Sequence, residues 1–252
     1  MFSILLHPTP DREDYLVAEL SDCGTSGITE EDEGGIRAFF DEDAAAEALL
    51  GRFAEFAPEL RLEAGIDWEQ VSRDAWPPLA IGERFYLVPP WRAEDPVPRG
   101  RLRLVVHPGM ACGTGRHPCT RLCLEAIERC VKPGDRVVDV GAGSGILSAA
   151  VELVGTGCVA GCDIDAENVR IARERVHVPM FIGSADAVRT AWADVVIANI
   201  DSATLEKLAP EFTRVRTPGA TLILSGFPEG DAPEGYIPKV TLERDSWLCW
   251  IC

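Results

Sequence analysis

A glycine-rich turn carries the clearest chemistry in this sequence. The run from Val137 to Ile146 reads VVDVGAGSGI, an apolar strand that passes through Gly141 and Gly143 into a helix. Glycines in such a turn let the backbone approach a nucleotide-like ligand at the carboxyl end of the strand. A dinucleotide fingerprint needs Gly or Ala three residues after Gly143, where Ile146 stands instead. The motif therefore predicts a cofactor loop and disfavours a nicotinamide dehydrogenase.

Three polar residues stand near the ends of the strands that follow. Asp163 comes 22 residues after Gly141, where a carboxylate can accept hydrogen bonds from both hydroxyls of a ribose. Asp186 follows the next strand and either meets an adenine ring or belongs to a plain polar loop. Asn199 ends another strand and either accepts a hydrogen bond from an incoming amine or caps a turn. We expect the functional role, which makes Asn199 the candidate catalytic residue.

The elements that position these residues alternate between strands and helices from about Arg101 onward. Runs rich in Val and Ile, separated by helical segments, indicate a parallel sheet that is covered on both faces. Segments 239–243 and 246–252 are too close together for a crossover helix, so they predict a terminal antiparallel pair. The fold class is therefore α/β, with a seven-stranded Rossmann-like sheet expected within residues 101–252.

A smaller domain is expected ahead of this sheet. Residues 1–64 follow the order βαββαβ, which suggests a ferredoxin-like α+β domain with a hairpin turn at Glu33, Gly34 and Gly35. Residues 65–100 are rich in Trp and Pro, and we expect them to form a linker packed on the domain that follows.

The net charge of −17 is concentrated near the start of the chain. The first 60 residues hold 15 acidic and 3 basic side chains. Such a surface repels nucleic acid and attracts a basic protein, although solubility alone also explains it. There is neither a membrane-length apolar stretch nor a signal peptide, so we expect a cytoplasmic protein without membrane contact.

Nine cysteines are scattered through apparently buried elements, which favours reduced thiols over a disulfide framework. Cys119 and Cys123 are four residues apart, and Cys249 and Cys252 form a CxxC pair. Because no second CxxC or clustered His completes a zinc site, we expect no metal.

Several motifs occur in an order that resembles one family. They are the GxGxG turn preceded by an acid, the run GMACGTGRHPCT at 109–120, Asp163, and Ala198-Asn199-Ile200. The turn resembles motif one of class I S-adenosylmethionine methyltransferases, and the whole set is similar to the ribosomal protein methyltransferase family PrmA. This resemblance implies S-adenosylmethionine as cofactor and, as acceptors, amino groups of the eleventh protein of the large ribosomal subunit.

The same resemblance implies roles for individual residues. The residues implied to contact the methyl donor are Thr120, Gly141, Asp163 and Asn199. The residues implied to form a loop that closes over the donor are Gly113, Thr114, Gly115 and His117. The ferredoxin-like domain is implied to recognise the substrate protein.

These features predict a protein N-methyltransferase that acts on lysine or other amino groups of a basic ribosomal protein. Because a sulfonium methyl is already activated, transfer mainly needs a positioned amine lone pair. We expect Asn199 and backbone carbonyls to orient the amine, without a covalent intermediate. A small-molecule methyltransferase of the same fold and a non-catalytic ribosome-associated protein stay open as alternatives.

The acceptor side departs from the family pattern. His107 stands where the family usually has Asp, Arg116 and Cys119 replace threonines, and Asp201 begins a polar stretch after the Asn. Residues 227–236 are short and contain prolines, so the helix after the fifth strand is expected to be reduced. Acceptor specificity can therefore differ from that of the family.

Overall fold

The computed structural model describes residues 1–9, 12–31, 34–41, 44–62, 76–107 and 115–252. The chain separates into two units, Met1–Ala75 and Trp76–Cys252. Within the described ranges, no helix combines the length and the apolar character needed to cross a membrane.

The first unit places two helices against an antiparallel sheet. Its strands are β1 (Phe2–Leu6), β2 (Gly27–Glu31), β3 (Gly35–Phe40) and β4 (Glu59–Leu62). Its helices are α1 (Glu13–Asp22) and α2 (Ala46–Arg52). The strand order is β2-β3-β1-β4, and every neighbouring pair is antiparallel. This order confirms the predicted ferredoxin-like fold.

The core of the first unit follows from the alternation of side chains along the strands. Phe2, Ile4 and Leu6 share one face of β1 and are buried with Leu16 and Leu20 of α1. The turn between β2 and β3 contains Gly34 at φ +79°, a conformation that favours glycine. Glu33 of the predicted turn lies outside the described residues.

The second unit begins with a small sheet, two of whose three strands lie in the segment predicted as a linker. Its strands are β5 (Leu79–Ile81), β6 (Phe85–Val88) and β7 (Leu102–Val105). β5 pairs with β6 in the antiparallel sense, and β6 pairs with β7 in the parallel sense. Ile81, Phe85 and Leu104 are buried in the core of this unit. The described part of the segment therefore contributes two strands to the larger unit.

The main sheet of the second unit contains seven strands within the described residues. These are β8 (Arg136–Val140), β9 (Cys158–Asp163), β10 (Met180–Ile182), β11 (Ala193–Asn199), β12 (Arg216–Pro228), β13 (Val240–Arg244) and β14 (Trp247–Ile251). Their order is β10-β9-β8-β11-β12-β14-β13. β8 to β12 are parallel, and β14 is antiparallel to both of its neighbours. The predicted seven-stranded sheet and terminal antiparallel pair are confirmed.

Helices cover both faces of this sheet. They are α3 (Pro118–Cys130), α4 (Ile146–Leu153), α5 (Ala166–Arg175) and α6 (Ser202–Val215). Val137 and Ile197 are buried in a cluster with residues of α3, α4 and α5. Val138 and Val196 point the other way, into a cluster with residues of α6. Because strands buried on both faces need apolar residues at consecutive positions, these runs lack the polar alternation of a half-exposed sheet.

The connection from β12 to β13 is short. Its described residues form a single 3-10 turn, Glu229–Asp231, and no α-helix. Tyr236 lies later in the connection, and its hydroxyl donates a 2.6 Å hydrogen bond to the Leu205 carbonyl of α6. The expected reduction of this helix is confirmed. β13 and β14 are joined through Asp245 and Ser246, both at positive φ, as in a two-residue hairpin turn.

Candidate functional site

The predicted chemistry lies at one edge of the main sheet. Because β8, β9, β10, β11 and β12 are parallel, their carboxyl ends share that edge. The glycine turn follows β8, Asp163 ends β9 and Asn199 ends β11. Ligands of open α/β sheets bind in the crevice outside the carboxyl ends of the strands.

The glycine turn is held to the neighbouring strand by its own backbone. The N–H groups of Gly141 and Ala142 both donate to the Cys162 carbonyl at 2.9 Å. Gly141, Gly143 and Gly145 all have positive φ, which lets the chain reverse before α4 begins. A Cβ on Gly141 would lie 2.5 Å from Cγ2 of Ile200, so the turn also packs closely against the residue that follows Asn199.

Asp163 and Gly143 are in direct contact. The Asp163 side chain is 7% exposed, and its Oδ2 accepts a 2.9 Å hydrogen bond from the Gly143 N–H. Its Oδ1 accepts one of the same length from the Asp165 N–H. Ile164, between these two acids, is 81% exposed although it is apolar. The end of β9 thus presents a fixed carboxylate beside an open apolar surface.

Asp139 is a buried acid for which the sequence pattern predicted no role beyond preceding the glycines. It is 1% exposed, and its Oδ2 accepts a 2.7 Å hydrogen bond from the Ser148 hydroxyl. Its Oδ1 has no partner among the described residues. Burial raises the pKa of this carboxyl group to about 6. The signal in the sequence is a lone acid inside a Val-rich strand.

The free energy of unfolding is expected to depend on pH through Asp139. Because its pKa rises from 3.8 to about 6 on folding, its contribution is fully present below pH 3.8 and is lost as the pH rises through 6. The loss amounts to about 3 kcal/mol. Asp139→Asn should therefore gain stability over the parent between those pH values. Denaturant melts of both proteins at several pH values measure this difference, and a constant difference would contradict the assignment.

Asn199 lies on the α3 side of the sheet edge. Val195 and Ile197 precede it by four and two residues and point into the α3 cluster, so its side chain emerges on the same face. Its register partner in β12 is Ser225. The helix that follows is capped by Asp201, whose Oδ1 accepts a 2.9 Å hydrogen bond from the Thr204 N–H. The capping role considered for Asn199 is therefore filled by Asp201.

The turn after Asn199 packs against a glycine that the sequence did not single out. Gly226 has φ +105° and sits where the pairing of β12 with β14 is interrupted. A Cβ there would lie 2.7 Å from the backbone nitrogen of Ile200 and would overlap its carbonyl oxygen. The Ile200 N–H donates to the Ser225 carbonyl at 3.0 Å. Only a residue without a side chain allows this approach.

The start of α3 carries two further predicted residues. Thr120 is 2% exposed in the first turn of the helix. His117 is the exposed N-cap, and its Nδ1 accepts a 3.3 Å hydrogen bond from the Cys119 N–H. Gly115 is buried at φ +76°, and a Cβ there would overlap the Leu87 side chain. Gly113 and Thr114 lie outside the described residues.

Asp186 lies at the same edge, beyond β10. It is exposed in the 3-10 turn Ala185–Ala187. The Gly183 N–H donates a 2.9 Å hydrogen bond to the Asp163 carbonyl, which brings this connection beside the end of β9. The structure therefore gathers the predicted residues that it describes along one edge.

The departures from the family pattern have local roles. Arg116 donates a 2.7 Å hydrogen bond to the Pro77 carbonyl, and its guanidinium lies 4.7 Å from the centre of the Trp76 ring. Burial raises the pKa of the Cys119 thiol. Hydrogen bonds from Thr204 lower the pKa of Asp201, so that carboxylate stays ionised at the edge. Burial and Arg175 lower the pKa of His107.

These residues fit a nucleoside-bearing sulfonium cofactor. The Asp163 carboxylate suits a pair of ribose hydroxyls, and the exposed Ile164 suits the face of an adenine ring. Gly141 and Gly143 add no side chain at the turn, and the unpartnered Oδ1 of the buried Asp139 suits a positively charged group. No phosphate-binding feature is required.

Comparison with known proteins identifies a matching family. A family model described as Ribosomal protein L11 methyltransferase (PrmA) matches residues 6–233. The chain is 39% identical to a ribosomal protein L11 methyltransferase of Burkholderia ambifaria over 73% of this chain and 64% of that protein. It is 40% identical to the Dechloromonas aromatica protein of the same name, over 82% of this chain and 72% of that one. The chain thus spans just under two thirds of the length of the Burkholderia relative.

A crystal structure shows the same architecture. The ribosomal protein L11 methylase of Lactobacillus delbrueckii subsp. bulgaricus superposes with a TM-score of 0.63 at 25% identity. The match covers 69% of this chain and 96% of that chain. The fold is that of class I methyltransferases, whose cofactor is S-adenosylmethionine. By the match of its sequence over residues 6–233 and the agreement in fold, the chain belongs to the Ribosomal protein L11 methyltransferase (PrmA) family.

Proposed function

We propose that this chain transfers methyl groups from S-adenosylmethionine to lysine or other amino groups of ribosomal protein L11. The observation that carries the proposal is the contact of Asp163 with Gly143 at the sheet edge where Asn199 also ends its strand. The names of the relatives supply the acceptor protein.

The residues that hold the cofactor are those of the carboxyl edge. Asp163 accepts hydrogen bonds from the ribose hydroxyls, and Ile164 packs on the adenine. The backbone at Gly141 and Gly143 lines the amino-acid portion. Bound S-adenosylmethionine supplies a methyl group that its sulfonium has already activated. The chain itself therefore needs to bind the donor, orient the acceptor amine and remove water from around both. Asp186, in the turn after β10, meets the adenine ring. The remaining donor-binding residues are taken from the family pattern, and they are Thr120, Gly113, Thr114, Gly115 and His117.

Asn199 orients the acceptor in this proposal. Its side chain stands on the α3 face at the sheet edge, where its amide oxygen accepts a hydrogen bond from the incoming amine. A lysine must lose its proton before its lone pair can react. Desolvation in the cleft lowers the pKa of the lysine and favours that loss. Backbone carbonyls near Ile200 complete the polar lining for the amine.

The first unit recruits the acceptor protein through charge. Residues 1–60 hold 15 acids and 3 bases, which attracts a basic partner during encounter. Charge complementarity of this kind acts mainly on the rate of association and is screened by salt.

A transfer assay tests the proposed function. The full chain is incubated with purified L11 and S-adenosylmethionine labelled in its methyl group, and mass spectrometry then locates the label. Label on lysine or N-terminal amines of L11 is expected. A second incubation replaces L11 with a cell extract. Label on metabolites alone in that incubation would establish the small-molecule alternative. Failure to bind the donor in calorimetry would establish the non-catalytic one.

Reversing one charge of the first unit is expected to weaken recruitment. Glu30→Lys changes an exposed residue of β2, and it should raise the KM for L11 several-fold at low salt while leaving kcat unchanged. Glu152→Lys, an exposed position of α4, makes the same charge change in the second unit and serves as the control. Added salt should bring the parent and the Glu30 variant together. Equal effects of the two variants would show that charge at the first unit has no special role.

A further inference from the structure

An aromatic pair stands at the edge of the main sheet. The rings of His117 and Trp247 lie 4.8 Å apart in an edge-to-face arrangement of 74°. Trp247 opens β14 and pairs with Pro228 at the end of β12. Pro228 lies three residues beyond Ser225, the register partner of Asn199. Because the pairing is interrupted at Gly226, β14 advances only two residues over this interval, from Cys249, the partner of Ser225, to Trp247. At about 3.3 Å per residue, the indole begins ~7 Å beyond the level of Asn199 along the strand direction.

The pair stands on the same face of the sheet as Asn199. Trp247 packs against the cluster that contains Cys249 and Ile251, its alternate neighbours along β14, and that cluster also contains Ile197. His117 caps α3, the helix that covers this face. The two rings therefore stand on the face from which Asn199 projects, farther out along the strand direction.

One turn and two contacts of neighbouring residues fix the position of Trp247. Its strand is reached through the tight turn at Asp245 and Ser246. The Ser246 carbonyl accepts a 2.9 Å hydrogen bond from the Glu229 N–H. Arg244 forms a 2.8 Å ion pair with Glu125 of α3. The indole nevertheless stays partly exposed, whereas Leu248 and Cys249 beside it are buried. The fold thus presents a large, fixed aromatic surface to incoming molecules.

The chemistry of this surface suits an alkylammonium group. The face of an indole attracts a cation by its quadrupole, and its flat surface packs against methylene groups. Asp201, held ionised by Thr204, adds negative charge at the same edge.

We propose that Trp247 and His117 form the wall of the acceptor entrance and bind the side chain of the lysine that is methylated. This inference rests on the proposed function and adds two residues that contact the acceptor. The attraction persists as methyl groups are added, because a quaternary ammonium group is also held by an aromatic face.

The test compares two substitutions at one position. Trp247→Leu keeps an apolar side chain but removes the aromatic face, and Trp247→Phe keeps such a face. The leucine variant should raise the KM for L11 by about tenfold or more, and the phenylalanine variant by much less, because a cation–π contact of a desolvated ammonium reaches ~2 kcal/mol. The affinity for S-adenosylmethionine, measured by calorimetry, should match the parent in both.

A neighbouring tryptophan provides the control. Trp250 lies in the same strand but on the opposite face, where its ring contacts Phe227 at 5.1 Å. Trp250→Leu should therefore leave the KM for L11 unchanged. An independent readout uses Nα-acetyl-Nε-trimethyllysine amide as an inhibitor, beside its neutral analogue with a tert-butyl group. The parent should prefer the cation, and Trp247→Leu should lose that preference.

The outcomes separate this inference from the function on which it rests. A parent protein that does not methylate L11 would overturn the proposed function. A parent that methylates L11, with a leucine variant of unchanged KM, would overturn the aromatic wall alone. Loss of donor affinity in both Trp247 variants would show that the tryptophan only supports the fold.

Discussion

Replacing Asn199 with alanine is expected to lower the kcat of methyl transfer by at least about tenfold, with a smaller effect on donor affinity. Asn199 ends β11 on the α3 face, and Asp201 already caps the helix that follows. The amide of Asn199 is therefore available to orient the amine, and loss of an aligned hydrogen bond near reacting atoms costs orientation as well as binding. Mass spectrometry of L11 over time gives the rate.

The aspartate variant tests whether Asn199 orients the amine or only supplies a polar side chain. In Asn199→Asp a carboxylate would stabilise the lysine as an ammonium ion, whose lone pair is unavailable. Its activity should therefore recover more steeply than that of the parent as the pH rises. An alanine variant with the parent's kcat would place the acceptor contacts elsewhere, among the carbonyls near Ile200.

Asp163→Ala should weaken the binding of S-adenosylmethionine about ten- to a hundredfold. The substitution removes the acceptor of the ribose hydroxyls. It also removes the acceptor of the 2.9 Å hydrogen bond that the Gly143 N–H donates. A charge-assisted hydrogen bond contributes roughly 1.5 to 3 kcal/mol, which corresponds to that range. Calorimetry with the purified variant measures the change directly.

A matched control lies two residues away. Asp165→Ala removes the N-cap of α5, where Oδ1 accepts a 2.8 Å hydrogen bond from the Glu167 N–H. It should cost about 1 kcal/mol of stability yet leave donor affinity near that of the parent. Equal donor affinity in the two variants, or tighter binding of NAD than of S-adenosylmethionine, would refute the ribose assignment.

Much of the donor site could be predicted because its residues mark the ends of regular elements. Asp163 and Asn199 each close an apolar run, and parallel strands must bring such ends to one edge. The spacing of the glycines along the sequence is sufficient to predict the glycine turn. The ferredoxin-like order of the first unit could be predicted for the same reason, since each element has its own periodicity and turn residues.

Features set by long-range contact could not be predicted. The need for glycine at 226 arises from the backbone of Ile200, which is distant in sequence. The contact of His117 with Trp247 joins α3 to the last strand. β5 and β6 contain three and four residues, too few for a clear alternation to appear within a Pro-rich segment. Burial of Asp139 likewise depends on helix α4, which covers it through Ser148.

Position 226 must stay glycine in any variant that is engineered to methylate a new acceptor. Because the Ile200 backbone fills the space that a side chain at 226 would need, randomising that position would mostly yield misfolded proteins. Arg116 and Asp201 hold their neighbours through side chains at the surface, so larger changes can be accommodated there. A combinatorial library that varies residues 116, 201 and 247 while fixing glycine at 226 would therefore sample acceptor contacts and keep the close approach of Gly226 to the Ile200 backbone.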